Sequence, residues 1–364
     1  MRVVIAGGGT GGHLYPGIAV ARELLARDAT AHVTFAGTFG GIEARVLPRE
    51  GFTLDVIRSG GLKGKSLVDR LRGLWLLPLG AVDAWRLISR RRPQLVIGVG
   101  GYSSGPVVFV ASVRGIPTMI LEQNAVPGLT NKLLAPLVRA AAVTYDSTRS
   151  FFGDKAVVSG NPVRPEFFNL AGPSAREADA DGGSAVVRVL VFGGSQGAHA
   201  INMAMVEAAP ELATRGPHLR FTHQTGERDV EVVRAGYRAA GIQADVEPFF
   251  YDMGRQLGRA DVIVCRAGAT TLAEVAAAGR SAILIPLPTA TDDHQRKNAE
   301  ALAAAGAADV LLQKDATGLT LAHRILALAN DEAARIRMAK AARELARPDA
   351  ARVIVDRALQ MVKE

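Results

Sequence analysis

The sequence predicts an α/β protein of two domains, each a doubly wound parallel sheet, and three observations carry that prediction. Short apolar runs without polar alternation, such as residues 3–6 (Val-Val-Ile-Ala) and 189–192 (Val-Leu-Val-Phe), read as strands buried on both faces. Helical patterns separate such runs along the chain, which calls for parallel strands joined by crossover helices. Two of the runs pass directly into a glycine loop and then a helix, about half a chain apart. These loops are Gly7-Gly8-Gly9-Thr10-Gly11-Gly12-His13 and Gly193-Gly194-Ser195-Gln196-Gly197-Ala198-His199, and both read as sites.

In chain order, the first strand turns through its glycines into a helix expected from Pro16 to about residue 27, proline being favoured at a helix start. Strands are expected at 32–36, 54–57, 95–99, 118–121 and 142–144, and the first domain ends near Pro162. Residues 169–187 are small, polar and without period, so they read as a surface loop. The second sheet takes strands at 187–192, 221–224, 245–248, 262–265, 282–285 and 310–312. Helices follow at 319–330 and 331–346, and Pro348 separates them from a final helix at 349–362.

At 364 residues the chain exceeds the size at which one core stops growing, about 250 residues, so two domains fit its length. An apolar share of 48% with 21% charged residues fits a globular protein and excludes a disordered one. Cys265 stands alone, which excludes an intrachain disulfide, and its apolar strand marks it as an inert core thiol. No apolar run reaches the about 20 residues that a bilayer span needs, and no secretory leader is read, so a cytosolic or peripheral protein is expected. The net charge of +8 is uneven: residues 1–165 hold 20 Lys and Arg against 10 Asp and Glu, the remainder 23 against 25. That asymmetry predicts an anionic partner for the first half, a general bias toward Arg being the plain alternative. With no nucleic-acid reading module in sight, an acidic membrane face is favoured over nucleic acid.

Gly7, Gly9 and Gly12 satisfy the G-x-G-x-x-G pattern of dinucleotide sites. The ribose-binding acid such a site needs is missing, because the second strand ends Phe35-Ala36-Gly37-Thr38, and an NAD-dependent dehydrogenase is thereby disfavoured. His13 follows the loop, where a ring that titrates near neutrality suits a general base, although a histidine at a helix start can equally be structural. In the second domain, Arg266-Ala267-Gly268-Ala269-Thr270-Thr271-Leu272-Ala273-Glu274 follows a strand and opens a helix. Backbone N–H groups at a helix start, with the positive end of its dipole, form an anion site. Glu274 lies about one turn in, placed either for sugar hydroxyls or simply to complement the dipole. Further on, Gln295 and Asn298 share one face of the helix after Ile285-Pro286-Leu287-Pro288, and neutral amides donate and accept as sugar hydroxyls require.

These loops, together with Gly100-Gly101-Tyr102-Ser103-Ser104-Gly105-Pro106, Glu122-Gln123-Asn124, Gly160-Asn161-Pro162-Val163-Arg164 and the run from Gln295 to Ala299, form an ordered set that resembles the MurG family of glycosyltransferases over residues 5–299. The resemblance implies a GT-B fold, two Rossmann-like doubly wound domains facing a central cleft. Residues 1–163 would be the acceptor and membrane-facing domain, with helix 349–364 packing back onto it, and 164–346 the UDP-sugar donor domain. The implied reaction is an inverting transfer of N-acetylglucosamine from UDP-N-acetylglucosamine to the 4-hydroxyl of undecaprenyl-linked N-acetylmuramyl pentapeptide. It belongs to peptidoglycan synthesis, at the cytoplasmic face of the bacterial plasma membrane. Carried over by residue, His13 is the general base, and Thr10, Gly11 and Gly12 lie at the donor's sugar and diphosphate, with Asn124 and Arg164 beside them. Ser195 meets the diphosphate, Phe250 offers backbone to the uracil, and Gly268, Ala269, Thr270 and Thr271 hold phosphate. Glu274 takes the ribose and Gln295 the N-acetylglucosamine. His294 and Ala267 depart from the family, where some members have Gln and Ser. No cofactor or metal is expected, since Asp179-Ala180-Asp181 carries the D-x-D letters of metal-using transferases but lies in the small-residue loop. A UDP-N-acetylglucosamine 2-epimerase and a non-catalytic nucleotide-sugar-binding membrane scaffold are the alternatives.

Residues 62–92 fit a lipid-anchored acceptor. Leu71, Leu74, Trp75, Leu76, Leu77, Leu79 and Trp85 are interleaved with Lys63, Lys65, Arg70, Arg72, Arg86, Arg90, Arg91 and Arg92, a mixture that can lie among anionic headgroups. The same leucines could equally pack the first domain's core.

Overall fold

The computed structural model describes residues 1–60, 67–170, 186–194, 196–216 and 218–364, with the backbone alone for 67–77. The chain forms two compact units, one of Met1–Arg164 with Arg347–Glu364 and one of Pro165–Ala346.

The first unit runs β1 (Arg2–Gly7), α1 (Gly11–Arg27), β2 (His32–Gly37), α2 (Glu43–Arg49), β3 (Thr53–Val56), α3 (Leu67–Arg91) and β4 (Leu95–Gly100). It continues through α4 (Ser104–Val113), β5 (Thr118–Glu122), α5 (Leu129–Leu134), β6 (Ala140–Val143), α6 (Asp146–Phe152) and β7 (Ala156–Val158). Among the described residues these strands make a seven-stranded parallel sheet in the order β3-β2-β1-β4-β5-β6-β7. Alternate residues of β1 explain why its run is apolar throughout. Val3 and Ile5 pack on one face against Leu14 and Ile18 of α1, while Val4 and Ala6 pack on the other against Ile88 and Val107.

The second unit runs β8 (Val187–Phe192), α7 (His199–Arg215), β9 (Leu219–Gln224), α8 (Val230–Ala239), β10 (Ala244–Glu247), α9 (Met253–Arg259) and β11 (Val262–Cys265). Then come α10 (Ala269–Ala278), β12 (Ser281–Leu284), α11 (His294–Ala304), β13 (Asp309–Val310), α12 (Gly318–Asn330) and α13 (Glu332–Leu345). Its sheet is again parallel, ordered β10-β9-β8-β11-β12-β13. The chain then returns to the first unit as α14 (Ala350–Lys363), whose Ile354, Val355, Ala358 and Met361 complete the core on the α1 face.

Four expectations from the sequence are corrected. Helix α1 begins at Gly11, because the amides of His13 and Leu14 both close on Thr10 O (3.2 Å each), so Pro16 lies inside the helix instead of starting it. Strand β7 was not anticipated, its three residues being too few and too exposed to show a pattern. Strand β6 starts two residues early, at Ala140, where small alanines pair with β5. Strand β13 is a two-residue edge, shorter than expected. The loop expected at 169–187, with Asp179 and Asp181, lies largely outside the described residues.

In each sheet the strand order reverses direction at one place, between β1 and β4 and between β8 and β11. Loops at the carboxyl ends of these strands diverge there and leave a crevice, the usual ligand position in open α/β sheets. Both glycine loops, together with Gly101–Ser103 and Arg266–Gly268, fall at these points.

Candidate active site

In the first unit, Thr10 is the residue before α1, with extended dihedrals, and its Oγ1 lies 3.2 Å from His13 Nδ1 in the helix's first turn. The imidazole rests against the bare end of β4, since a Cβ on Gly100 would lie 2.7 Å from His13 Cδ2. That strand end is held by Gln123, whose Nε2 donates to Val99 O at 3.0 Å. Asn124 is fixed from behind by the buried Glu122 carboxylate. Oε1 accepts from the Asn124 amide and Nδ2 (3.0 and 3.2 Å), and Oε2 from Gly128 N and Asn131 Nδ2 (2.9 and 2.8 Å). Arg164 lies over the ring of Tyr15 on α1, 4.7 Å from its centroid.

A residue that the sequence reading passed over supports this loop. Glu43, the first residue of α2, is fully buried. Its Oε2 accepts from Gly9 N (2.8 Å), and its Oε1 from the amide and hydroxyl of Thr38 (2.8 Å each). A buried carboxylate is tolerated when its lone pairs are filled this way, and here they tie the loop after β1 to the loop after β2.

The second unit presents four pieces after its strands. Ser195 lies outside the described residues, so the loop after β8 is seen through its neighbours. Gly194 O accepts from Gln224 Nε2 at 2.7 Å, and Phe250 N donates to Gln224 Oε1 at 3.3 Å. Helix α10 opens with Gly268 as an extended cap that makes no side-chain cap hydrogen bond, and with no acidic residue in its first turn. No carboxylate of its own first turn therefore offsets the positive end of its dipole, a setting that favours an anion. Thr270 is buried, whereas Thr271 and Glu274 are partly exposed on the same helix.

Arg266 does not point into this site. Its guanidinium bonds Ile285 O, Pro286 O and Gln313 Oε1 (3.0, 3.3 and 2.7 Å), and burial lowers its pKa. It fastens the β11 loop to the end of β12. Burial foremost, with the Glu274 charge adding, pushes the Cys265 thiol far up, in keeping with a core thiol.

Before α11, Asp292 and Asp293 both adopt left-handed dihedrals (φ 54 and 55), which cost roughly 1–2 kcal/mol each in a non-glycine residue. That turn delivers His294, whose Nδ1 donates to Thr291 O at 2.7 Å, and Gln295, whose Oε1 accepts from Leu287 N at 3.0 Å. Asn298 is corrected: it shares that helix face but is fully buried in the core, too deep for a sugar contact.

Residues 3–143 match the glycosyltransferase family 28 N-terminal domain and residues 188–354 its C-terminal domain. The UDP-N-acetylglucosamine:N-acetylmuramyl-(pentapeptide) pyrophosphoryl-undecaprenol N-acetylglucosamine transferase of Myxococcus xanthus is 48% identical over 328 residues, covering 89% of this chain and 84% of that protein. The crystal structure of Acinetobacter baumannii MurG superposes with a TM-score of 0.76 at 32% identity, covering 99% of both chains. A Neisseria meningitidis UDP-GlcNAc 2-epimerase bound to UDP-GlcNAc matches 99% of this chain and 100% of its own, with a TM-score of 0.69 but 14% identity, a likeness of fold alone. The fold is GT-B, two Rossmann-like doubly wound units, and the level of identity separates the transferases from the epimerase. The chain belongs to the MurG family of family 28 glycosyltransferases.

Proposed function

We propose that the chain transfers N-acetylglucosamine from UDP-N-acetylglucosamine to the 4-hydroxyl of undecaprenyl-linked N-acetylmuramyl pentapeptide, with inversion. The observation that carries this reading is the pairing of His13 with Thr10 on the β1 loop of a chain whose second unit follows β11 with a glycine-capped helix start free of acidic residues in its first turn. As general base, His13 carries its proton on Nδ1, which donates to Thr10 Oγ1, and Nε2 takes the proton of the attacking hydroxyl. A bond forms between that oxygen and the anomeric carbon as the bond from carbon to the UDP oxygen breaks. Charge growing on the departing diphosphate is stabilised by the amides of Gly268–Thr271, by Ser195 and by Arg164. Phe250 reads the uracil through its carbonyl, Glu274 accepts from the ribose hydroxyls, and the NH2 of Gln295 donates to the sugar. Thr10, Gly11, Gly12 and Asn124 line the same reaction, residues 1–164 serving the acceptor and 165–346 the donor.

The test is UDP release with and without acceptor. UDP appearing only when the lipid-linked muramyl peptide is present supports the transfer. Conversion of UDP-N-acetylglucosamine to its 2-epimer without acceptor would establish the epimerase reading instead, and UDP binding without turnover the scaffold reading.

The acceptor's lipid anchor places the protein at the cytoplasmic face of the plasma membrane, held peripherally. No helix among the described residues is long and apolar enough to cross a membrane. Helix α3 supports a surface contact: Leu87 and Ile88 are in the core, while Leu79, Val82 and Trp85 are 40%, 45% and 53% exposed. Arg114 stacks over Trp85 at 4.8 Å, a cation held on an aromatic rim. Arg90 and Arg91 are both bound to Asp55 (2.7 and 2.8 Å), so the lipid-facing charge comes from the other basic residues. Lys63 and Lys65, and the side chains of Arg70 to Leu77, lie outside the described residues. Vesicles containing anionic lipid are expected to co-sediment with the protein at low salt and release it as salt rises, and Trp85→Ser should weaken binding several-fold. Salt-insensitive binding would count against the electrostatic part.

A further inference from the structure

We infer that Gln224 is the positioning residue that sets the diphosphate loop and the base loop of the donor site in one register; this rests on the donor-site reading given above. Gln224 ends β9, with Phe192 of β8 beside it on one side and Glu247 of β10 on the other. Its side chain is buried, so it is not a ligand contact in its own right. Its amide spends both ends on backbone from opposite neighbours. Nε2 donates to Gly194 O in the loop after β8, and Oε1 accepts from Phe250 N in the segment after β10. A side chain doing both must carry a donor and an acceptor about 2 Å apart at the end of a three-carbon reach, which glutamine supplies without having to bind a proton.

The surrounding backbone shows that these loops are packed to touch. A Cβ on Gly197 would lie 1.8 Å from Thr225 O, so the loop after β8 lies directly on the residue that follows Gln224. Thr225 is itself pinned, its carbonyl accepting from Asn202 Nδ2 at 2.8 Å and its amide donating to Glu247 O at 3.1 Å. Asn202 in turn donates to Asp229, whose carboxylate also meets His199 at the start of α7. The loop after β8 is thus held at two points, by Gln224 near its start and by Asp229 at its end. Through Gln224 the hold continues to Phe250 itself, and the backbone bonds from Thr225 N to Glu247 O and from Gly226 N to Pro248 O (3.1 Å each) tie the same segments just before it. A ligand spanning both loops gains from their fixed spacing, whereas a fragment touching one loop does not.

The test uses the full chain carrying Gln224→Met, which keeps length and burial and removes both hydrogen bonds. The expected result is a KM for UDP-N-acetylglucosamine raised about tenfold, with kcat and the acceptor KM within about threefold. Displacement assays should show UDP weakened about tenfold, and uridine or inorganic pyrophosphate alone by less than about threefold. If Gln224→Met folds poorly, Gln224→Glu assayed at pH 8 replaces it: it keeps the acceptor for Phe250, loses the donor for Gly194, and should weaken pyrophosphate more than uridine. Equal losses for UDP and for its fragments, or UDP binding unchanged in either variant, would overturn the inference. Glu274→Ala is the control. If it weakens UDP while Gln224→Met does not, the bridge alone fails; if neither variant affects UDP, the donor-site reading fails with it.

Discussion

Replacing His13 by alanine is expected to lower kcat by about 10²- to 10⁴-fold while UDP affinity stays within about twofold of the parent. The expectation follows from where the ring sits. It occupies the first turn of α1, supported by Thr10 at Nδ1 and by the bare backbone of Gly100 on one side, and none of the described groups assigned to the donor's uracil or ribose belongs to that unit. Loss of the ring should therefore remove proton transfer and leave nucleotide binding in place. Thr10→Val tests the orientation of the imidazole separately, because it removes the Nδ1 partner while keeping the shape, and a loss of about tenfold in kcat is expected. Both are read from acceptor-dependent turnover alongside calorimetric UDP binding. A folded His13→Ala protein working at the parent rate would take the base role away from His13.

Glu43→Gln should be nearly as damaging although Glu43 is not placed on any substrate. The buried carboxylate receives three hydrogen bonds, and two of the donors are backbone amides that cannot turn away. A carboxamide has one acceptor oxygen. Whichever way it is set, an NH2 faces either Gly9 N–H or the Thr38 donors, and a buried unsatisfied donor costs about 1–3 kcal/mol. The expected outcome is a lower urea midpoint for the first unit and a kcat reduced about 10- to 100-fold, since Gly9 precedes Thr10 and His13 on one short loop. UDP binding should be unchanged. Unfolding curves and turnover measured on the same preparation check this, and a Glu43→Gln protein with parental kcat would show that the loop holds its shape without the carboxylate.

How far the sequence foretold this depends on the kind of residue. Strands such as β1, β8 and β11 were legible because burial on both faces removes polar alternation, and the loops following them were legible because glycines cluster where the backbone must turn sharply. Thr10 and Gly268 fall on such loops, and His13 lies in the first turn of the helix that follows one. Glu43 and Gln224 were not legible, for the same physical reason in both. Apart from the Thr38 hydroxyl, their partners are backbone atoms of other loops, and a backbone amide or carbonyl leaves no mark in the sequence of the side chain that reaches it. Pro16 misled because proline favours helix starts, yet the turn closed on Thr10 O had already begun the helix. Asn298 misled in the opposite way: shared spacing with Gln295 says which face a residue is on but not how deep it lies.

The return of α14 to the first unit bears on how the protein is made. The first unit's core on the α1 side needs Ile354, Val355, Ala358 and Met361. Those residues follow the whole of Pro165–Ala346 in the chain. A ribosome therefore releases every residue of the second unit before the first can close, even though domains that emerge first usually fold first. Until then Leu14, Ile18 and Leu24 have an unfinished apolar neighbourhood, a surface on which holding chaperones would act during synthesis, and nonsense or frameshift lesions near residue 350 would harm the opposite end of the gene product first.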